Sequence, residues 1–315
     1  MKVHLTFDVE IWCNSWSELD ARFPAAFERY VYGRSTQGDF ALPKTLEILG
    51  RHGLKGIFFV EPLFSARFGS AYLRELVALI DAAGQDIQLH LHPEWTDEIH
   101  PRLIANADTK RQHLTAYTFD EQLALIDWGR QALEDVLGRP IGAFRAGSFA
   151  ANANTFRALS KAGLLIDSSL NDSYAVSGND VPRPAGHAAA MSVQDVWCYP
   201  VSRFTDGLGR ARPAQINGCS FEEIRDALDA AERSGQSHFV IVSHNFEMLK
   251  PGSNEPDRVV VHRFERLCAW LAAKPSRFQV GALPPRPLGL QGGMHRVGRL
   301  STARRLAEQA LRRLG

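Results

Sequence analysis

Residues 86–95 of the chain have the sequence DIQLHLHPEW. The first five predict a buried strand, and His90 and His92 stand two positions apart at its end. Because side chains alternate across a strand, both imidazoles project from one face, where they can share a metal ion. Pro93 has no N–H to donate and ends the strand. The stretch therefore predicts a strand that brings two metal ligands to one place.

The N-terminal stretch 3–10 has a matching pattern, with the sequence VHLTFDVE. Its alternation places Asp8 and Glu10 on one face of a second predicted strand. Carboxylates and imidazoles are common ligands of catalytic zinc, and such a metal ion activates water for hydrolysis. The ends of these two strands together predict a metal-hydrolase centre.

The composition is that of a globular protein. The chain has 315 residues, of which 45% are hydrophobic and 23% charged. Its net charge of +1 argues against a nucleic-acid partner, because proteins that bind nucleic acid normally have an excess of basic residues. No apolar run approaches membrane-spanning length, and no secretion signal precedes the first strand, so we expect a cytoplasmic location. The four cysteines are Cys13, Cys198, Cys219 and Cys268. Because they lie far apart in the sequence, we expect no disulfide framework and no zinc ribbon.

Strand-like and helix-like segments alternate about seven times along residues 1–283. Parallel βα units in this number predict an α/β fold, a distorted parallel (β/α)7-type barrel. The segments 12–40, 96–118 and 171–195 lack a clear period. We predict that they are long loops or insertions that shape a substrate groove.

The C-terminal segment 284–315 predicts a second unit, a Pro/Gly linker followed by a basic amphipathic helix over 301–314. Such a helix usually packs on its own domain, but it can also make peripheral contact with an anionic membrane, and both interpretations stay open. Its predicted apolar stripe consists of Ala303, Leu306, Ala307, Ala310 and Leu314. Its basic face consists of Arg304, Arg305, Arg312 and Arg313.

Polar residues stand at the predicted strand ends, where the catalytic groups of a parallel barrel lie. An unpaired charge at a core position would be costly, so these residues predict a functional cluster at one barrel mouth. They are Asp8, Glu10, His90, His92, Arg145, Asp167 and His244. Trp12 and Trp95 follow the two ligand strands, and each is either an apolar wall of the site or part of the core.

Five motifs resemble those of the polysaccharide deacetylases, the carbohydrate esterase family 4 or NodB-homology type, of which the chain would be a divergent member. In chain order they are TFD at 6–8, LHLHP at 89–93, FRAG at 144–147, IDSS at 166–169 and VSH at 242–244. The resemblance covers residues 3 to about 250. It implies a distorted barrel, one divalent metal ion, most simply Zn²⁺, and the removal of acetyl groups from N-acetylated sugars.

The resemblance also implies roles for individual residues. Asp8 would be the general base and His244 the general acid. Arg145 would hold the base ionised and oriented, and Asp167 would help to tune the acid histidine. The implied metal ligands are Glu10, His90 and His92.

Two departures from the family pattern leave alternatives open. Many members have a second aspartate where this chain has Val9, and Glu10 on the same strand face as Asp8 replaces it as a ligand. The two carboxylates could also exchange roles, with Asp8 on the metal. Many members space their two histidines four apart, so Glu94 could replace His92 as the ligand.

The function predicted is that of a metal-dependent hydrolase that removes an N-acetyl or related acyl group from an amino sugar or glycan intermediate. One alternative keeps the metal but hydrolyses a small non-sugar amide C–N bond. Another is a non-catalytic barrel that binds glycan.

Overall fold

A curled sheet of parallel strands lies at the centre of the computed structural model. The structure describes residues 1–174, 177–181 and 188–314, with all their side chains except those of residues 313 and 314. The strands are β1 (Lys2–Val9), β2 (Arg34–Ser35), β3 (Gly38–Asp39), β4 (Ile57–Val60), β5 (Asp86–Leu91), β6 (Ala143–Ala146), β7 (Ile166–Asp167), β8 (Met191–Val193), β9 (Val196–Cys198), β10 (Arg203–Thr205), β11 (Ala211–Pro213), β12 (His238–His244), β13 (Gln279–Val280) and β14 (His295–Arg296). The α-helices are α1 (Leu19–Phe27), α2 (Leu42–Arg51), α3 (Phe64–Phe68), α4 (Ser70–Ala82), α5 (Phe119–Leu137), α6 (Ala153–Ala162), α7 (Phe221–Arg233), α8 (Arg258–Ala272) and α9 (Arg299–Leu314).

The strand order in the main sheet is β12-β1-β4-β5-β6-β7-β9-β8, and β13 pairs with the start of β1. All these neighbours are parallel except β8 and β9, which form an antiparallel pair at the edge. Helices cover the outside, so β1 and β4 are buried on both faces. The predicted fold, a distorted parallel (β/α) barrel, is confirmed.

The side of the barrel between β9 and β12 is closed by irregular segments. The Ser202 N–H donates to the Val240 carbonyl, and the Ile216 N–H donates to the Val242 carbonyl. Gln215 also forms an isolated parallel bridge with Val242. These bonds bring residues 214–216 beside the end of β12, where His244 stands.

The prediction that residues 12–40 form a loop was wrong, because this segment contains α1 and a π-helical turn over Glu28–Tyr32. The Phe23 ring stacks on Phe68 with ring centroids 3.8 Å apart, and it also packs against Phe64. Pro24 inside α1 disguises the helical pattern in the sequence. The 171–195 insertion contains β8, and residues 175, 176 and 182–187 lie outside the described part of the chain.

The C-terminal helix α9 packs on α7 through its polar side. Buried Arg305 forms ion pairs with Glu223 and Asp206, both buried as well. The predicted apolar stripe faces outward, apart from Leu314, whose side chain is outside the described residues. The division of the chain at residue 283 stays a prediction. Among the described helices, none has the length and apolar content needed to cross a membrane.

Candidate metal centre

Glu10 lies between the two histidines of the β5 end. Its Oε1 is 3.0 Å from His90 Nε2 and 2.8 Å from His92 Nε2. All three side chains are buried, and their ligand atoms lie within 4.8 Å of one another. Period-2 alternation in β1 and β5 turns the three residues toward the barrel interior, and the parallel register brings their strand ends to one mouth.

The second nitrogen of each imidazole is already occupied. His90 Nδ1 is 2.8 Å from the Arg145 carbonyl oxygen, which can only accept, so Nδ1 carries the proton. His92 Nδ1 is 3.3 Å from Glu94 Oε1 in the same way. In the neutral rings both Nε2 lone pairs therefore point at a carboxylate oxygen. Such a cluster of lone pairs requires a proton or a metal cation.

Two side chains hold Glu10 in place. Trp12 Nε1 donates to Glu10 Oε2 over 2.7 Å, and the Trp12 ring packs edge-on against His92. Asn245 Oδ1 accepts from the Glu10 N–H, and its Nδ2 donates to the Glu10 carbonyl. Asn245 follows directly after His244 at the end of β12, so this side chain ties two strand ends together. Trp12 is thus a hydrogen-bond partner of Glu10, the candidate metal ligand. Its position in the sequence predicted either an apolar wall of the site or a place in the core, but not this hydrogen bond.

Glu10 and His92 each stabilise the charged form of the other. Burial opposes ionisation of Glu10, but the neighbouring His92 and His90 outweigh it and hold the pKa of Glu10 well below its ordinary value. Burial also disfavours a charged His92, but Glu10 and Glu94 outweigh it and hold the pKa of His92 well above its ordinary value. An ionised carboxylate is the form that binds a divalent cation.

Asp8 lies on the same side of β1 as Glu10 but has a different partner. Arg145 Nη1 donates to Asp8 Oδ1 over 2.7 Å and to Thr6 Oγ1 over 2.9 Å. The guanidinium is fully buried, and its other two nitrogens also donate to Ser168, Nε to the carbonyl oxygen and Nη2 to the hydroxyl oxygen. Asp8 Oδ1 is thereby fixed, and its Oδ2 faces His244 Nε2 at 4.0 Å.

His244 has Glu247 as its partner, one turn further along the chain. His244 Nδ1 is 2.7 Å from Glu247 Oε1, while Ser243 and Gln215 donate to the same carboxylate. Burial lowers the pKa of His244, but the Glu247 carboxylate outweighs it and raises that pKa to about 9. At neutral pH the ring is therefore a cation able to give up a proton.

Asp167 has no hydrogen bond to His244, and the carboxylate that contacts this histidine is that of Glu247. The predicted contact between Asp167 and His244 is therefore absent, and the roles of both residues stay predictions. The Asp167 carboxylate accepts from Ser169 and from the Cys198 thiol, and its burial raises its pKa. Ser169 Oγ in turn accepts the Ala146 N–H at the end of β6. Asp167 thus supports the strand end that bears Arg145. The position of Glu247 just after the histidine motif was the one signal for its role in the sequence.

A cleft of about 710 Å³ opens above these residues. Its lining consists of Asp8, Glu10, Trp12, Trp16, His92, Glu94, Lys110, Gln112, Ser148, Phe149, Tyr174 and His244. Lys110 Nζ lies 3.4 Å from the centroid of the Trp16 ring. Trp95 is buried against Trp16 and belongs to the core. The sequence patterns did not indicate Trp16, Lys110, Gln112, Phe149 or Tyr174, because their segments show no period.

The turn after β6 is shaped for this cleft. Ser148 and Phe149 both adopt left-handed backbone angles, with φ of 54° and 55°, although neither is glycine. Such strain is typical of functional sites. Gly147 precedes them, and a Cβ atom there would lie 2.7 Å from the His92 ring. The glycine of the FRAG motif therefore gives His92 the space it occupies.

The donor set fits a divalent transition metal ion. Two imidazole nitrogens and one carboxylate oxygen are the protein ligands of many catalytic zinc sites. The His90 and His92 Nδ1 atoms have the outer hydrogen bonds to oxygen that orient metal-bound histidines. Asp8, Glu10 and His244 also bring ligand atoms within 4.8 Å of one another, but Asp8 is paired with Arg145 and His244 with Glu247. The Glu10–His90–His92 group is the better cation site.

Comparison with solved structures identifies the fold. A protein from Mycobacterium smegmatis assigned to the polysaccharide deacetylases matches with 21% identity over 91% of this chain and 94% of that chain, at a TM-score of 0.53. A family 4 carbohydrate esterase from Streptomyces lividans matches at 17% identity, 93% and 97% coverage and a TM-score of 0.46. A family 4 pseudoenzyme from Bacillus anthracis matches at 13% identity, 94% and 69% coverage and a TM-score of 0.42. No protein-family model and no curated protein sequence matches the chain.

The similarity to the Mycobacterium smegmatis structure, at 21% identity and a TM-score of 0.53, is a similarity of fold. The chain has the polysaccharide deacetylase fold. The resemblance predicted from the five motifs is confirmed to that extent.

Proposed function

We propose that this chain, which has the polysaccharide deacetylase fold, is a metal-dependent hydrolase that removes an N-acetyl or related acyl group from an amino sugar or glycan intermediate. The observation that carries the proposal is the convergence of Glu10, His90 and His92, whose free ligand atoms face one another in a buried position. Beside them stand an anionic candidate base and a cationic candidate acid, Asp8 and His244. This combination of groups is the one that amide hydrolysis needs.

In this proposal Glu10, His90 and His92 hold one divalent cation, most simply Zn²⁺. The cation supplies Lewis-acid chemistry, polarising the acyl oxygen and making a water molecule more acidic. Trp12 and Asn245 keep Glu10 in position, and Glu94 keeps the lone pair of His92 Nε2 directed at the site.

Asp8 and His244 act as proton carriers on either side of the reacting carbon. Asp8 Oδ2 accepts the proton of the attacking water, because Arg145 occupies Oδ1. His244 donates from Nε2 to the departing amine, while its Nδ1–H stays on Glu247. The amine is a poor leaving group until it is protonated, so an imidazolium with a pKa of about 9 is a suitable donor at neutral pH.

The cleft supports a sugar as the substrate. Trp12, Trp16, Phe149 and Tyr174 offer aromatic surface, and the Gln112 amide adds a hydrogen-bond donor and acceptor. A sugar presents an apolar ring face and polar edges, which match such a mixed lining.

Metal analysis combined with an acetate-release assay tests the proposal. The purified chain and His92→Ala are loaded with Zn²⁺, dialysed and measured by elemental analysis. Both are then assayed on N-acetylhexosamines and their oligomers, with small linear and cyclic amides as the second panel. The matched control is His262→Ala, since His262 is an exposed histidine on α8. We expect wild type and the control to retain metal and release acetate, and His92→Ala to lose both.

The other outcomes discriminate between functions. Turnover of small amides without acetate release from sugars would assign the site to another C–N bond. Sugar binding without metal or turnover would make the barrel a glycan-binding protein. Unchanged metal content in His92→Ala would remove His92 from the ligand set, and Glu94→Gln would then test the alternative ligand.

A further inference from the structure

The outward face of α9 is apolar. Leu300 is 87% exposed, Leu311 62% and Leu306 45%, and the alanines between them at 303, 307 and 310 are exposed as well. Successive helical residues are about 100° apart, so these six side chains lie within an arc of about 140°. An amphipathic helix on a globular protein normally turns such an arc inward. Here it faces outward.

Buried ion pairs fix this orientation. The inner face of α9 carries Arg305, which pairs with Glu223 and Asp206, and Glu308, which accepts from Arg263. Thr302 also donates to Glu223 over 2.8 Å. Rotating the helix to bury its leucines would leave these charges unpaired in the interior, at a cost of several kcal/mol. The apolar face therefore stays outside.

The surroundings of this face are basic near Leu300, whereas Leu311 lines a groove with Glu255 and with Asp257, which is paired with Arg312. Arg296, Arg299 and Arg304 are exposed, and Arg304 forms an ion pair with Glu308 at 3.3 Å and interacts electrostatically with Glu222. Glu308 is the one acidic residue in α9, and it belongs to the inner face. A partner for this surface must offer apolar groups at its centre and negative charge at its border.

This charge pattern argues against a second copy of the chain as the partner. In a symmetric contact the same surface meets itself, so Arg299 and Arg304 of both copies would approach one another. The carboxylates near Arg304 are those of Glu308 and Glu222, which are already paired with Arg263 and Arg266. A nucleic acid would match the arginines but not the leucines. The interface of an anionic bilayer matches both, with acyl chains for the leucines and phosphate head groups for the arginines.

We propose that α9 is a membrane-surface helix, which docks the folded protein on anionic lipid through Leu300, Leu306 and Leu311 and the arginines beside them. Three leucines and three alanines form a small apolar face, so attachment needs the charge attraction as well and is reversible. The proposal rests on α9 alone and holds whatever reaction the cleft catalyses.

Vesicle sedimentation of the full chain tests the proposal. Vesicles of phosphatidylcholine alone are compared with vesicles that also contain phosphatidylglycerol. We expect binding to the anionic vesicles, weaker binding at high salt, and little binding to the neutral ones. Leu300→Asp and Leu311→Asp each remove a leucine that would insert into the bilayer and add repulsion from the anionic lipid, so each should weaken binding by about tenfold or more. Arg299→Gln should weaken it less.

The matched control is Leu165→Asp, because Leu165 is 47% exposed and lies beside β7, outside α9. It should bind like wild type, and thermal unfolding of every variant shows whether the fold is kept. Failure of the wild type to bind anionic vesicles would overturn the proposal. Equal binding by wild type, Leu300→Asp and Leu311→Asp would overturn it too. A wild-type dimer in light scattering that Leu300→Asp converts to a monomer would reassign the face to a contact between copies.

Discussion

Replacing Glu247 with glutamine removes the anion that contacts the His244 imidazole. Glu247 Oε1 is 2.7 Å from His244 Nδ1, and the pKa of His244 is raised to about 9 with this carboxylate as its strongest favourable partner. Glutamine keeps the size of the side chain and, through its Oε1, a neutral acceptor. The substitution therefore isolates the effect of the charge.

The expected shift follows from the strength of the lost interaction. A hydrogen bond to a charged group contributes about 1.5–3 kcal/mol, and one pKa unit corresponds to about 1.4 kcal/mol. Neutralising Glu247 should therefore lower the pKa of His244 by about 1–2 units, to about 7–8. Since the acid works in its protonated form, activity in the wild type should fall as the pH rises through about 9. In Glu247→Gln the same fall should come at about pH 7–8.

Two measurements check this prediction. The pH profile of kcat/KM for acetate release reports the acid limb, and proton NMR titration of the His244 ring reports its pKa without a substrate. Ser243→Ala is the matched control, because it removes the hydroxyl that donates to Glu247 Oε2 but leaves the carboxylate. It should move the limb much less. An unchanged His244 pKa in Glu247→Gln would refute the proposed pairing, and an unchanged profile with a lowered pKa would refute His244 as the acid.

Three further outcomes are expected. Gly147→Ala should push the His92 ring aside and weaken metal binding about ten- to a hundredfold in calorimetric titration. The new Cβ would also lie 2.7 Å from the Leu91 carbonyl oxygen, so the melting temperature should fall as well. Arg145→Met should leave its buried carboxylate partner unpaired and lower the free energy of unfolding by about 3–5 kcal/mol in urea denaturation. His4 and His238 are buried with pKa values lowered to about 3 and about 4, chiefly by burial, so the unfolded chain takes up protons first. Each histidine should therefore lower the stability in urea by about 1.4 kcal/mol per pH unit as the pH drops from about 6.5 towards 4. Glu61, whose pKa burial raises to about 8, should offset one of the two, so the net fall should be about 1.4 kcal/mol per pH unit, and a flat dependence would contradict this.

The fold could be predicted from the sequence because its signals are local. The apolar run in β4 and the alternation in β1 and β5 are short-range consequences of burial on a parallel sheet. Glycines after α5 and α6 adopt left-handed angles at the helix ends. The helix α1 was not predicted, because its aromatic residue Phe23 packs on α3, and a contact with another element leaves no helical period in the sequence of α1.

The strand-end residues could be found in the same way, but their partners could not. Alternation alone predicted that His90 and His92 share a strand face, and in the structure both face Glu10. The sequence around Asp8 and Glu10 does not show which of the two carboxylates lies between His90 and His92. The direction of β1 and the buried Arg145 decide it, since Arg145 occupies Asp8.

The sequence by itself determined the parallel βα series, the strand ends that bear polar groups and the amphipathic character of α9, because each depends on the period of a single element. The tertiary structure decided which groups pair: Glu247 rather than Asp167 with His244, and Arg305 with Glu223, which turns the leucines of α9 outward. Such pairings depend on distances between residues far apart in the chain. Burial then makes each of them costly to exchange, since an unpaired charge in the interior loses its solvation without compensation.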